Sequence, residues 1–129
     1  MIFGIGVDLV DTRRIHKSIC QLGHKFLDRI FTKEEQEFCQ KRTETVNSFS
    51  KVFAAKEAVL KAISNTDGIH WCHIHIKHLP SGKPYVELTQ KALENYQALV
   101  GPNPATIHLS ITDEPPYAQA FVVISLTKP

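Results

Sequence analysis

The stretch Ser48-Phe49-Ser50-Lys51-Val52-Phe53-Ala54-Ala55-Lys56-Glu57-Ala58-Val59-Leu60-Lys61-Ala62-Ile63 sets the architecture. Phe49, Val52, Phe53, Val59, Leu60 and Ile63 recur at the spacing of one helical face, and Ala54, Ala55, Ala58 and Ala62 fill much of the remaining circumference. A helix that is apolar or small nearly all round belongs in an interior, so a long central helix from about Ser48 to Ile63 is predicted, with other elements packed on it. Its charges are then the anomaly. At roughly 100° per residue Lys56 falls inside the apolar stripe, Glu57 at its edge, and Lys61 one turn beyond Glu57 on the same side. A Glu57–Lys61 pair on a solvated edge, worth about 0.2–0.5 kcal/mol, accounts for those two without any function. Lys56 must snorkel, pair with an anion or serve a ligand. A buried ammonium with no anion loses its proton or destabilises the fold.

Working outward, residues 2–10 read as a strand with Phe3, Ile5, Val7 and Leu9 alternating onto one face. The other face holds Gly4, Gly6 and Asp8 and is nearly bare, which marks close approach of another element or a ligand. Asp8 is out of place in a strand by propensity. It is either a strand-end turn cap or a ligand for a cation. A helix follows from Thr12 or Arg13 to about Leu22, and a second begins at Thr32, where Thr32-Lys33-Glu34-Glu35 is a capping-box pattern. Residues 72–79 and 84–89 read as a hairpin around Pro80-Ser81-Gly82-Lys83-Pro84. Residues 90–100 read as a helix ending at Gly101-Pro102. Residues 105–112 and 117–126 read as two closing strands. Strands and helices mix without regular βαβ alternation, which predicts an α+β fold with a mostly antiparallel sheet packed on the long central helix.

At 129 residues the chain fits a single domain over 1–129. The formal charge of +2, from 15 basic and 13 acidic residues, gives no reason to expect nucleic acid. Three cysteines with no CxxC pair argue against a disulfide scaffold and fit a reducing cytoplasm. The segment from Met1 to Asp11 lacks a basic region and is interrupted by Asp8, so neither a leader nor a membrane span is expected. His70, Cys72, His73, His75 and His78 invite a transition-metal reading. Strand parity works against it, because His73 and His75 share one face while Cys72 and His78 lie on the other.

Two further patterns suggest chemistry. Asp8 and Glu57 come from separate elements, and two such carboxylates with phosphate oxygens are a usual Mg²⁺ arrangement. Lys56 and Lys61 could then meet the phosphates, since phosphate transfer needs mainly positioned cations. His108, Ser110 and Thr112 share one strand face, opposite Ile107, Leu109 and Ile111. Arg13, Arg14 and Lys17 crowd one short helix, with Lys25 and Arg29 just beyond; such a run is a solvated face or a steering surface for an acidic partner.

Three segments together resemble one family. Gly4-Ile5-Gly6-Val7-Asp8-Leu9-Val10-Asp11 with Arg14-Ile15, Phe53-Ala54-Ala55-Lys56-Glu57-Ala58 with Lys61-Ala62, and His108-Leu109-Ser110-Ile111-Thr112-Asp113-Glu114 with Tyr117-Ala118 are similar, in order and spacing, to the motifs of holo-acyl-carrier-protein synthases, the short bacterial type of 4′-phosphopantetheinyl transferase. The resemblance covers essentially the whole chain. It implies a 4′-phosphopantetheinyl transferase-like fold and a Mg²⁺-dependent enzyme. The family's reaction moves 4′-phosphopantetheine from coenzyme A to a serine of apo acyl carrier protein and releases adenosine 3′,5′-bisphosphate. It further implies that Asp8 and Glu57 hold the metal, that Lys61 and His108 contact coenzyme A phosphates, and that Arg14 meets the acidic carrier. A homotrimer is implied, with sites between subunits. Glu57, ahead of Asp8, is the expected base.

The chain departs from the family twice. Val52 stands where the family often has Arg, with Lys51 elsewhere on the helix. After Lys61-Ala62, Ser64-Asn65-Thr66-Asp67-Gly68 replaces the usual Gly-Thr-Gly loop. Glycine-rich loops let backbone N–H groups approach phosphate. Weaker coenzyme A binding, or anchoring by the Ser64 or Thr66 hydroxyl, is therefore expected.

Overall fold

In the computed structural model, which describes residues 1–128, the central helix is sandwiched against a sheet by residues too small to hold it away. The elements in order are β1 (Ile2–Asp11), α1 (Thr12–Leu22), α2 (His24–Ile30), α3 (Lys33–Gln40), α4 (Thr45–Ile63), a single 3₁₀ turn (Trp71–His73), β2 (Ile74–His78), β3 (Pro84–Leu88), α5 (Gln90–Val100), β4 (Ala105–Glu114) and β5 (Tyr117–Leu126). The expected domain range included Pro129, which lies outside the described residues. β1, β5 and β4 form a three-stranded antiparallel sheet in that order, and β2 pairs antiparallel with β3. The fold is α+β, as the sequence pattern predicts.

Register explains the bare face of β1. Gly4, Gly6 and Asp8 lie on the same sheet face as Ala118, Ala120, Val122 and Ile124, and α4 packs there. A Cβ on Gly6 would sit 1.8 Å from the carbonyl oxygen of Ala58, and one on Gly4 2.0 Å from that of Ala62. The glycines are thus fixed by helix backbone, not by a turn. α4 answers with Ala54, Ala55, Ala58 and Ala62, all buried, while Phe49, Val52, Val59 and Ile63 fill the core on its other sides.

The apolar face of β1 is the open one. Ile5, Val7 and Leu9 are 58%, 44% and 63% exposed, and Phe121 beside Val7 is 45% exposed. Cross-strand register puts Ile5, Val123 and His108 in one row on this face, with Ser110 and Thr112 along the same edge strand. Apolar surface of this kind marks an interaction site more often than idle surface.

Several boundaries differ from expectation. α4 begins at Thr45, ahead of Ser48. The strand expected over 72–79 is shorter because the 3₁₀ turn takes its start, and the imidazole of His73 accepts a hydrogen bond from the His70 N–H. α2 has no counterpart in the sequence reading; it follows Gly23, whose φ of 56° ends α1. The Thr32 capping box forms, with the Thr32 hydroxyl accepting from the Glu35 N–H and the Glu35 carboxylate accepting from the Thr32 N–H.

Candidate active site

β1 and α4 bring Asp8 and Glu57 together on the wall of one cleft, and Glu57 also lines a second. One, of about 520 Å³, is lined by Glu57, Leu60, Lys61, Ser64, Thr66, Ile69 and Trp71. The other, of about 500 Å³, runs beside α1 and includes Asp8, Arg14, Lys17, Phe26, Phe53 and again Glu57. Glu57 therefore belongs to both.

Electrostatics at this junction are unbalanced. Burial pushes the Asp8 carboxyl above the ordinary range, with Lys61 and Arg14 opposing. Burial and then the Asp8 charge push Glu57 up as well, with Lys61 opposing. The Lys61 ammonium donates to Asp8 at 3.2 Å and to the Val7 carbonyl at 2.9 Å. The solvated Glu57–Lys61 pair is thus replaced by an Asp8–Lys61 pair. Two partly buried carboxylates share one ammonium, and the Asp8 charge adds to the burial that raises Glu57. Such a donor set fits a hard divalent cation with oxygen ligands, which would neutralise the excess charge. Among the described residues no three His, Cys, Asp or Glu converge as a metal cage. A cation here would complete its shell with substrate oxygens and water.

Lys56 corrects the sequence reading. It was expected at a phosphate, but its ammonium is wholly buried. It pairs with Glu35 at 2.6 Å and donates to the carbonyls of Ile30 at 2.8 Å and Trp71 at 3.1 Å. Burial pulls its pKa down and the Glu35 carboxylate opposes that. Glu35 in turn accepts from the Ile76 N–H at 2.7 Å, so one buried pair ties α3, α4 and β2 together. The anion that Lys56 needs is a side chain, not a ligand. Lys56→Met leaves the Glu35 carboxylate buried alone and is expected to cost about 3–5 kcal/mol in denaturant titrations. A Lys56→Met protein as stable as the parent would overturn this assignment.

The other expected site residues divide. Lys61 and Ser64 line the first cleft, Arg14 and Lys17 the second. Arg13 turns back to Asp11 through two side-chain bonds of 2.9 and 2.8 Å, so its charge is already matched. His108 stands on the opposite sheet face from Asp8 and pairs with the Ser125 hydroxyl at 2.8 Å. One chain does not bring it to the cleft. Trp71 and Ile69 enter the first cleft without having been singled out. Trp71 is held there by stacking on Phe53 at 5.2 Å. Lys51 lines a separate cavity of about 680 Å³ with Lys41, Arg42 and His78.

The histidine-rich segment is dispersed. His78 stacks on Phe38 at 4.0 Å and Cys72 lies against the Asp28 and Arg29 carbonyls. Burial, then the charges of Arg42 and Lys51, hold His78 below the ordinary imidazole range. As pH falls the unfolded chain takes up that proton first. The His78 contribution to stability is therefore present above about pH 6.5 and lost as pH falls below it. His78→Phe is expected to flatten that slope in denaturant titrations across pH 5–7.

An α+β fold thus places a carboxylate pair, an ammonium and two hydroxyl-bearing residues around adjoining clefts, a donor set suited to a phosphate group and a cation. The chain belongs to the 4′-phosphopantetheinyl transferase superfamily, whose model matches residues 4–113. It is 45% identical over 128 residues to the holo-[acyl-carrier-protein] synthase of Caulobacter vibrioides, covering 96% of each chain. Its structure is similar to that of the Neisseria meningitidis holo-[acyl-carrier-protein] synthase, at a TM-score of 0.80 and 34% identity over 97% of this chain and 99% of that one. It also resembles the Helicobacter pylori synthase in complex with coenzyme A, at a TM-score of 0.79 and 28% identity over 94% and 99%. No helix among the described residues is long and apolar enough to cross a membrane.

Proposed function

We propose that this chain, acting as a single domain over residues 1–129, transfers the 4′-phosphopantetheine arm of coenzyme A to a serine of apo acyl carrier protein in the cytoplasm, for fatty acid biosynthesis. The observation that carries this is the position of Glu57 on both clefts. The first cleft has an ammonium and hydroxyls for a diphosphate, with Trp71, Leu60 and Ile69 as an apolar wall. The second opens beside Arg14 and Lys17, which suit an acidic carrier and would speed its encounter at low salt.

Asp8 and Glu57 would hold Mg²⁺, and the bound ion would draw charge from the phosphorus under attack. Lys61 binds the diphosphate oxygens as a positioned cation. Glu57 takes the proton of the carrier serine as its oxygen attacks phosphorus in line. The bond to adenosine 3′,5′-bisphosphate breaks, and that product leaves. Burial and the Asp8 charge raise the proton affinity of Glu57 above that of an ordinary carboxylate, the direction a general base needs. Its double duty as ligand and base rests on its carboxylate having two oxygens.

The open apolar face of Ile5, Val7, Leu9 and Phe121 supports a homotrimer, in which His108 of one subunit reaches the phosphates held by its neighbour. A mixture of Asp8→Ala and His108→Ala chains, refolded together, should then regain activity that neither has alone, because about a quarter of interfaces draw both intact residues. Mixed trimers verified by mass with no recovery would remove His108 from the shared site. The reaction itself is tested by following adenosine 3′,5′-bisphosphate. Its release should require coenzyme A, apo carrier and Mg²⁺ together. Release without carrier would indicate hydrolysis instead, and no release with a competent carrier would sink the proposal.

A further inference from the structure

The segment that replaces the glycine-rich loop is held by a residue outside every motif. Ser64 ends α4 with φ 74° and ψ −56°, and the Asn65 N–H donates back to the Ile63 carbonyl at 2.9 Å. That is a γ-turn of the strained sign, centred on a residue that has a side chain. Strain of this kind persists only where surrounding structure imposes it. α5 imposes it. Asn95 is 6% exposed, and its amide nitrogen donates to the carbonyls of Asn65 at 2.9 Å and Asp67 at 3.1 Å. The stem of Lys91 covers Gly68 in the same loop. Within the loop, the Asn65 side chain accepts from the Asp67 N–H and the Ile69 N–H donates to the Thr66 carbonyl.

The consequence lies in which groups face the cleft. Two carbonyls that alternate with Thr66 are taken up by Asn95. Thr66 and Ser64 line the cleft with Lys61 and Glu57. A carbonyl turned into that cleft would repel phosphate oxygens, whereas a hydroxyl can donate to them. Glycine gives a phosphate loop its donors by letting the backbone approach. Here a side-chain amide engages the two carbonyls that flank Thr66, while Thr66 and Ser64 stay on the cleft wall.

We infer that Asn95 is a positioning residue for the diphosphate of coenzyme A, acting through Thr66. The inference rests on the function proposed above. It is tested by calorimetric titration of coenzyme A, with Mg²⁺ present, into the intact protein and three variants. Asn95→Leu, nearly isosteric, should weaken binding about tenfold, the loss of one hydrogen bond to a charged group. Thr66→Val should weaken it similarly. The double variant should be no weaker than either single one, because Asn95 matters only through Thr66. Carrier affinity, measured in parallel, should not move, which a merely structural role would not ensure. Should Asn95→Leu fold poorly, Asn95→Ser, which keeps one donor, replaces it in the cycle and should show a partial loss. Unchanged coenzyme A affinity in a folded Asn95 variant, or losses that add in the double variant, would overturn the inference alone. A wild-type chain that binds no coenzyme A would overturn it together with the proposed function.

Discussion

Asp8→Ala is expected to lower kcat/KM for phosphopantetheine transfer by about 10³-fold while leaving the protein folded. The magnitude follows from the several kcal/mol that a bound cation contributes to charge stabilisation during phosphate chemistry. Without Asp8 the site keeps one carboxylate, which would hold a divalent ion less tightly and in a less defined position. The fold should hardly notice. Asp8 pairs with Lys61, whose side chain is 53% exposed against 14% for Asp8, and an ion pair with one partner in solvent is worth about 1 kcal/mol. Burial already disfavours the Asp8 charge, so its removal relieves a cost as well as losing a partner. Steady-state kinetics beside a thermal melt separate the two effects. Near-wild-type turnover in Asp8→Ala would remove the carboxylate pair from the chemistry, and a collapsed melt would make Asp8 structural.

Gly6→Ala is expected to have the opposite profile, destabilising the protein by about 5 kcal/mol or more. The added carbon would lie 1.8 Å from the Ala58 oxygen, 2.8 Å from its carbonyl carbon and 2.9 Å from the Ala62 nitrogen. All three are backbone atoms of α4, so no rotamer change relieves the clash. The helix must lift from the sheet along its length, opening the contacts of Ala54, Ala55, Ala58 and Ala62 at once. A useful control is Ala58→Gly in the Gly6→Ala background. It removes a side chain but not the struck carbonyl, so it should not rescue stability. Chemical denaturation measures both. Rescue by Ala58→Gly, or a loss near 1 kcal/mol, would mean that the helix and strand approach less closely than described.

These two residues show what the sequence could and could not convey. The close approach behind Gly4 and Gly6 was legible, because a strand face without side chains can only be covered by something near. The burial of α4 was legible from its alanines. The partner of Lys56 was not. Glu35 read only as half of a capping box, and its second role depends on α3 being folded back against α4, which no local pattern records. α2 escaped because its seven residues are too few to display helical periodicity, and it opens at Gly23 without a capping side chain. The relation of His108 to Asp8 was hidden for a different reason. Parity within each strand was readable, but which faces coincide is set by the register of β1 and β4 on β5. Asn95 carried no signal at all, since a polar residue on a helix is ordinary until the loop it holds is seen.

The most direct test of the transfer reaction, and of the carboxylate pair in it, is the intact mass of an apo acyl carrier protein after incubation with this protein, coenzyme A and Mg²⁺. The predicted result is a gain of one phosphopantetheine group, abolished by EDTA and restored by excess Mg²⁺, and slowed about 10³-fold in Asp8→Ala at matched early times. An unchanged mass, with folded enzyme and a carrier that another synthase modifies, would contradict the proposed function. A gain that survives EDTA and keeps its rate in Asp8→Ala would contradict the role given to the carboxylates.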